Sequence, residues 1–263
     1  MVNIQSITNT LVNLTRPSMV SQGLFKIYQK GLKIVSTDTK PMANEWAASN
    51  VESDEAFARA LDSDLWNQAT AYDAEATATA DGKLRALADQ GITLGGGGHH
   101  ALLYFLVRYY QPQVAFETGV ASGFSSRAIL TAMHHNNGGH LWSSELPYFR
   151  LPNPERFSGH LVEPELRTRW TMLLKGDRKN VPEILGQVNR IDLFHYDSDK
   201  TYEARERVLR QAQGKFAPDV VIVFDDIQDN FHFRDYIARE GLADRARVFG
   251  HDGKYVGVVL PRA

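Results

Sequence analysis

The sequence predicts an α/β protein with a doubly wound, mostly parallel sheet of seven strands, preceded by a helical segment. From residue 114 onward, strand-like apolar runs alternate with helix-like stretches, which is the pattern of a parallel sheet with helices on both faces. The last two runs are separated only by His251, Asp252 and Gly253, residues that suit a hairpin turn. We therefore expect one antiparallel strand in a C-terminal hairpin.

Residues 1–91 have a helical pattern, and strand-like runs are absent from them. Apolar residues recur at helical spacing in 18–35, and the alanine-rich stretch 63–91 predicts one long helix or two, opened by a cap at Ser63 or Asp64. Four aromatic residues here belong either to the core or to a wall over a ligand: Trp46, Phe57, Trp66 and Tyr72. We expect residues 1–91 to form a helical lid or oligomerisation segment.

Seven strands are predicted in the rest of the chain. They cover residues 114–118, 140–145, 170–176, 191–197, 219–225, 245–250 and 254–261. The glycine run Gly95–Gly98 is either a flexible lead-in to the next helix or a place where the backbone comes close to a ligand. The insertion over residues 146–164 is a second candidate for a lid.

Composition is typical of a compact soluble enzyme, with 43% hydrophobic and 23% charged residues. The formal net charge of -2 gives no electrostatic drive toward nucleic acid or an anionic membrane. The basic cluster at 205–215 alternates with glutamates on a predicted helix, so we interpret it as a solvated face. The absence of cysteine excludes disulfides and thiolate metal sites. Because no apolar run approaches the length of a membrane span and no signal-peptide pattern opens the chain, we expect a cytoplasmic location.

The stretch VAFETGVASGFSS, residues 114–126, is the most informative part of the chain. A strand-like run ends at Glu117, a turn with Gly119 and Gly123 follows, and a helix begins near Ser125. Strand, glycine turn and helix in this order form the first unit of a Rossmann-type nucleotide site, in which the helix N-terminus faces an anion. The spacing Glu-x-Gly-x-x-x-Gly argues against a dinucleotide and for a ligand with one small carboxylate. We expect residues 92–263 to form a Rossmann-like domain.

Acidic residues cluster where the predicted strands end, which is where open α/β sheets bind ligands. They are Glu117, Glu145, Asp177, Asp197, Asp199, Asp225 and Asp226. A carboxylate at Glu145 can accept both hydroxyls of a ribose, although a surface or capping glutamate is the alternative. Asp177 lies either at the adenine side of such a ligand or in a Gly-Asp turn.

Three aspartates at the ends of the fourth and fifth predicted strands form a second group. Asp197, Asp225 and Asp226 offer hard oxygen donors that suit Mg²⁺ or a similar divalent cation. The alternative is helix capping, because Asp226 and Asp229 are spaced like a capping box. Capping accounts for one aspartate and leaves two buried charges without partners, so we favour the metal.

In order and spacing, the motifs ETGVASGFSS, SSELP, LLKGD, DLFHYDSDKTYE and VVIVFDDI resemble those of the class I S-adenosylmethionine-dependent methyltransferases. The similarity covers residues 92–261 and points to the metal-dependent branch that includes macrolide-sugar and aminocoumarin O-methyltransferases. It implies that S-adenosylmethionine (SAM) is the cofactor and that a small-molecule hydroxyl accepts the methyl group. The roles implied are methionine binding by Glu117, Gly119, Gly123 and Ser125, ribose binding by Glu145, adenine binding by Asp177, and metal binding by Asp197, Asp225 and Asp226.

The resemblance also implies catalytic roles for the segment after Asp197. Asp199 matches a position proposed as the general base in some relatives, whereas Lys200 stands where many relatives carry histidine. The identity of the base is therefore open between Asp199 and Lys200. An NAD-dependent oxidoreductase and a non-catalytic cofactor-binding module remain alternatives, and a homodimer through the N-terminal helices is a further expectation. An iron site is disfavoured because the histidines occur as adjacent pairs.

Overall fold

A computed structural model of the chain describes residues 4–15 and 39–262, so the helix predicted over residues 18–35 lies outside the described residues. The strands are β1 (Val51–Glu52), β2 (Val114–Thr118), β3 (His140–Ser144), β4 (Trp170–Leu173), β5 (Ile191–Tyr196), β6 (Phe216–Phe224), β7 (Ala246–His251) and β8 (Lys254–Val259). The helices are α1 (Ile4–Leu14), α2 (Lys40–Ser49), α3 (Asp54–Leu61), α4 (Ser63–Ala88), α5 (His100–Tyr110), α6 (Phe124–His135), α7 (Asp177–Gln187), α8 (Tyr202–Ala212) and α9 (His232–Arg239).

All eight strands form one sheet, in the order β1-β7-β8-β6-β5-β2-β3-β4. Strands β2 to β6 pair in parallel, and β8 runs antiparallel to both β6 and β7. The predicted mixed sheet with a C-terminal hairpin is therefore confirmed. The chain order reverses beside β2, whose neighbours are β3 and β5, so a crevice opens where those strands end.

The prediction that residues 1–91 contain no strand was wrong. Val51 pairs with Val248 and Glu52 with Phe249, so β1 extends the sheet from seven strands to eight. Both residues of β1 are exposed, and two residues are too few to show an alternating pattern. Hydrophobic periodicity therefore does not predict strand β1.

The N-terminal helices pack onto the same core as the sheet. Trp66 of α4 meets Phe105 of α5 edge to face at 5.9 Å, and Tyr72 stacks on Tyr104 at 4.5 Å. Trp66 therefore belongs to the core and Tyr72 packs against it, as the first of the two alternatives predicted. Helix α4 is a single long helix, and its N-cap is Asp62, whose side chain accepts the N–H of Leu65 at 2.9 Å, not Ser63 or Asp64.

Strand β6 begins three residues earlier than predicted. It starts at Phe216 and contains Pro218, which cannot donate a backbone hydrogen bond. The register against β5 shifts between Ile191 and Leu193, and this irregularity accommodates the proline. Among the described residues, no helix is long and apolar enough to cross a membrane.

Candidate active site

The glycine turn after β2 ties together the ends of three strands. The N–H of Gly119 donates to the carbonyl of Ser144 at the end of β3, and Asp197 N–H after β5 donates to the carbonyl of Thr118, each at 2.8 Å. Gly119 has φ of 83°, and a Cβ there would lie 2.5 Å from the carbonyl oxygen of Asp197. Glycine is required because the backbones of the two segments touch.

Gly123 is required because two segments of the protein come close together at this position. It has φ of 100° and is the N-cap of α6, and a Cβ there would lie 2.8 Å from Cα of Gly159 in the insertion 146–164. The insertion also donates to the turn, from Gly159 N–H to Ala121 and from Leu161 N–H to Ser122, both at 2.9 Å. Gly123 thus admits a protein segment beside the turn, and the insertion braces the turn from outside.

Glu117 lies beneath the turn, with no exposed surface. Its carboxylate accepts the hydroxyls of Ser125 at 2.6 Å, Ser126 at 2.5 Å and Ser143 at 2.8 Å. Two of these serines lie in the first turn of α6, so Glu117 anchors the N-terminus of that helix. The buried His195 lies 3.5 Å from Glu117; burial works to lower the histidine pKa, but Glu117 together with the charges of Asp197 and Asp225 outweighs burial and raises it.

Glu145 and Asp177 hold neighbouring parts of the same edge. One carboxylate oxygen of Glu145 accepts the N–H groups of Val120 and Ala121 in the turn, at 2.6 and 3.0 Å. Asp177, the first residue of α7, accepts the hydroxyls of Ser144 and Ser198, each at 2.6 Å. Burial raises the pKa of Asp177 despite those two hydrogen bonds.

Asp197, Asp225 and Asp226 come together as the sequence predicted. Each offers one carboxylate oxygen, and these atoms all lie within 4.8 Å of one another. Burial, reinforced by the charge of Asp197, raises the pKa of Asp225 to about 6. Three carboxylates at this separation need cations between them, and we call the three residues the acidic cluster.

Two lysines contact the acidic cluster. The ammonium group of Lys200 forms ion pairs with Asp197 and, at 3.3 Å, with Asp226, while Lys254 from the hairpin lies 3.1 Å from Asp226. Burial works to raise the pKa of Asp226, but the two lysines outweigh it and lower that pKa. The Asp226 side chain makes no capping hydrogen bond to the following 3₁₀ turn, so capping does not account for this residue.

Arg205 departs from the prediction of a solvated basic face. Only 1% of it is exposed, and its guanidinium donates to the backbone carbonyls of Asp225 and Asp226, both at 2.9 Å. Asp226 has φ of 51°, a left-handed conformation that aspartate tolerates better than most residues. Arg205 therefore fixes the backbone that carries two members of the acidic cluster. Its register on α8 turns it inward, whereas Arg210 is exposed.

Asp199 does not join the acidic cluster. Its carboxylate accepts the N–H of Thr201 at 3.0 Å and the hydroxyl of Thr201 at 2.9 Å, just before α8 begins. In an extended segment, Asp197 and Asp199 would point to the same side. The segment leaves strand geometry after Tyr196, so the alternation does not hold.

The glycine run packs against the site instead of serving as a flexible lead-in. Gly96, Gly97 and Gly98 all have positive φ, and the carbonyl of Gly95 accepts the hydroxyls of Ser122 and Tyr148. A Cβ on Gly98 would lie 3.6 Å from the Asp225 carboxylate. The sequence motifs did not indicate His195 or Lys254 as residues of the site. His195 lies on β5, two residues before Asp197, which follows the strand.

Comparison with known proteins agrees with this geometry. Residues 116–227 match the sequence profile described as a methyltransferase domain. No curated protein matches the chain. The O-methyltransferase from Bacillus cereus, solved with S-adenosylhomocysteine (SAH), is 16% identical, with a TM-score of 0.55 over 70% of this chain and 90% of that one. The O-methyltransferase TomG from Streptomyces achromogenes, solved with SAM, gives 16% identity and a TM-score of 0.53 over the same shares.

A methyltransferase from Geobacter sulfurreducens gives 15% identity and a TM-score of 0.51, covering 70% of this chain and 88% of that one. At these identities the similarity establishes the fold. The chain therefore has the fold of these methyltransferases, and residues 116–227 match a methyltransferase domain, in agreement with the class I SAM-dependent resemblance of the motifs.

Gly119→Ala is expected to destabilise the fold by on the order of 2–5 kcal/mol, through left-handed strain and the clash with Asp197. Urea unfolding measures the change. Gly186→Ala is the matched control, because nothing lies within 4 Å of a Cβ there and the site is helical. Equal stability of the two variants would contradict the close approach.

Arg205→Met is expected to cost about 2–4 kcal/mol of stability, because two buried carbonyls lose their donor and the nearby carboxylates lose a cation. Arg210→Met on the same helix removes an exposed ion pair with Glu206 and should change stability by less than about 1 kcal/mol. Thermal unfolding of both variants is the measurement. A neutral Arg205→Met would show that the guanidinium is not needed to hold the Asp225–Asp226 backbone.

Proposed function

We propose that this protein is a SAM-dependent O-methyltransferase in which a divalent cation, Mg²⁺ or a similar ion, assists transfer to a hydroxyl of a small natural product or sugar. The observation that carries the proposal is the direct contact between two sites. The glycine turn of the cofactor-type site lies against Asp197, a member of the acidic cluster. A methyl donor on the turn and a hydroxyl on the cluster would then be adjacent.

The cofactor half of the proposal rests on Glu145, Asp177 and the turn. Glu145 stands at the end of β3 and holds the turn N–H groups, so a ribose bound there and a methionine carboxylate near α6 would contact one connected unit. Glu117 and Ser125 would shape this unit from below, since they bond to each other. Half-buried Asp177, held by Ser144 and Ser198, would border the adenine side.

The acidic cluster fits a hard divalent cation by its donor chemistry. Three carboxylates with oxygens within 4.8 Å of one another match the ligands that Mg²⁺ prefers, and Arg205 donates to the backbone carbonyls of two of these residues, Asp225 and Asp226. Asp197, Asp225 and Asp226 would be the ligands. A bound cation would lower the pKa of an acceptor hydroxyl and fix its position. Lys200 and Lys254 would move aside or share the carboxylates.

The protein residues supply alignment for the displacement. Transfer from a sulfonium needs the donor carbon and the acceptor oxygen in line, which a rigid edge provides. Asp199 stays a predicted proton acceptor, and its carboxylate would have to leave Thr201 to act. Lys200, in ion pairs with two carboxylates, suits steadying of charge better than proton removal.

The alternatives are less well supported. An NAD-dependent oxidoreductase would not need three clustered carboxylates, and a non-catalytic module would not need them kept intact. The test is incubation with SAM, Mg²⁺ and a panel of hydroxyl-bearing sugars and phenols, with SAH release and methylated product followed by mass spectrometry. Thermal stabilisation by NADH and not by SAM would contradict the proposal. We further propose a cytoplasmic location and a homodimer formed through the N-terminal helices.

Glu145→Ala is expected to weaken SAM binding by about 1–3 kcal/mol, the loss expected for charge-assisted hydrogen bonds. Glu145→Gln should lose less, because its amide oxygen can still accept the turn N–H groups. Calorimetry with SAM is the measurement, and Glu183→Ala, on an exposed side chain, is the control. If all variants bind as the wild type does, Glu145 is not part of the cofactor site.

Mn²⁺ should bind at the acidic cluster, and chelation should abolish methyl transfer in a way that Mg²⁺ reverses. Asp225→Asn should weaken Mn²⁺ binding, whereas Lys200→Met should tighten it roughly tenfold, because a neighbouring positive charge is removed. Electron paramagnetic resonance measures free Mn²⁺ in each case.

Asp81→Asn, an exposed position on α4, is the control for this series and should bind Mn²⁺ as the wild type does. Full turnover in excess chelator would exclude metal assistance. If the two lysines neutralise the acidic cluster in place of a metal ion, the wild type should turn over in excess chelator and bind no Mn²⁺.

A further inference from the structure

Two adjacent histidines follow the glycine run and are buried beside the acidic cluster. His99 is 5% exposed and His100 is 8% exposed, at the point where α5 begins. Their contacts differ from each other: the ring of His99 stacks on His251, and the ring of His100 stacks on Phe124, the first residue of α6.

His100 is held from one side by a carboxylate. Its Nδ1 lies 3.3 Å from Oδ1 of Asp73 on α4, in ion-pair contact. Burial works to raise the pKa of Asp73, but the contact with His100 and the charges of His100, His251 and His99 outweigh burial and lower it. The carboxylate therefore stays ionised, which favours a proton on Nδ1 of His100 and a lone pair on Nε2.

The other ring nitrogen of His100 is buried and finds no hydrogen-bond partner among the described residues. A buried polar atom without a partner is costly unless a ligand completes it. A Cβ built on Gly98 would lie 4.0 Å from this Nε2 and 3.6 Å from the Asp225 carboxylate, so both groups border the same glycine. The His100 ring also stacks on Phe124, the first residue of α6, at 4.9 Å.

His100 therefore lies between the glycine turn and the acidic cluster, where the donor methyl and the acceptor hydroxyl would meet. We propose that Nε2 of His100, oriented by Asp73, accepts the proton of the acceptor hydroxyl. The inference rests on the proposed function. Helix α5 would thus supply an imidazole to the site, whereas Lys200 stands where the resembling proteins carry histidine after β5.

In the proposed step, the acceptor O–H bond breaks and its proton bonds to the lone pair of Nε2. The oxygen electron pair forms the new O–C bond while the C–S bond of the sulfonium breaks, leaving its electrons on sulfur as a neutral thioether. The imidazolium that results is stabilised by the Asp73 carboxylate and later loses its proton to solvent.

Neighbouring candidates fit this role less well. His99 directs Nε2 to Asp54 at 2.7 Å, and its ring stacks on His251 at 4.7 Å. Asp199 is engaged with Thr201. His100 combines an orienting carboxylate with an unpartnered nitrogen that borders the same glycine as the Asp225 carboxylate, and its ring stacks on Phe124 at the start of α6.

The first test needs no acceptor. Nitrogen-15 NMR of the histidine rings should show His100 protonated on Nδ1 only, and Asp73→Asn should change that tautomer. Mn²⁺ should broaden the His100 signals and spare those of His134. His134 lies near the C-terminal end of α6, roughly 15 Å along the helix from Phe124, on which the His100 ring stacks. A proton on Nε2, or broadening absent while Mn²⁺ is bound, would overturn the proposal.

The second test measures turnover with protocatechuate as the probe acceptor and SAH release as the readout. His100→Ala should lower kcat by about 10²–10⁴-fold with SAM affinity unchanged, and added imidazole should restore part of the rate. Asp73→Asn should lower kcat about tenfold or more without raising the KM for SAM. His134→Gln, at an exposed position, should behave as the wild type.

The two tests separate the inference from the function on which it rests. Failure of the wild type to bind SAM or to release SAH contradicts the proposed function, while the tautomer still reports the His100 geometry. A His100→Ala variant within about twofold of the wild type, with Asp199→Asn inactive, overturns the inference and leaves the methyltransferase in place.

Discussion

The crowding of carboxylates at one edge of the sheet is the constraint on which the rest of the site depends. Like charges at this separation destabilise one another unless each finds a donor or a cation. Serine hydroxyls donate to Glu117 and Asp177, and backbone N–H groups donate to Glu145. The positive charges around the acidic cluster come from Lys200, Lys254 and Arg205. The same negative charge is the basis of the proposed binding of a cationic methyl donor and a metal ion at this edge.

Much of this arrangement was predictable because strand ends in a parallel sheet share an edge. Knowing that Glu117, Asp197 and Asp225 each sit where an apolar run stops was enough to place them together. The glycine turn was equally clear, since a strand, a turn and a helix start left little freedom. The hairpin with one antiparallel strand followed from the short turn at residues 251–253.

Other features depend on contacts between distant segments, which local patterns do not encode. Arg205 looked solvated because its neighbours are charged, yet its exact register on α8 buries it against the Asp225 backbone. The pair of His100 and Asp73 joins two helices through residues that are 27 positions apart in the chain, and neither residue has a motif around it. Strand β1 exists only because β7 offers it an edge.

The central claim is that the edge of the sheet is one composite site for cofactor and cation. Anomalous diffraction from crystals grown with Mn²⁺ and SAH tests it most directly. The account predicts a manganese peak bound by Asp197, Asp225 and Asp226, Lys200 displaced from Asp197, and the ribose on Glu145. Cofactor bound at the turn with Lys200 and Lys254 still on the carboxylates, and no manganese between them, would contradict it.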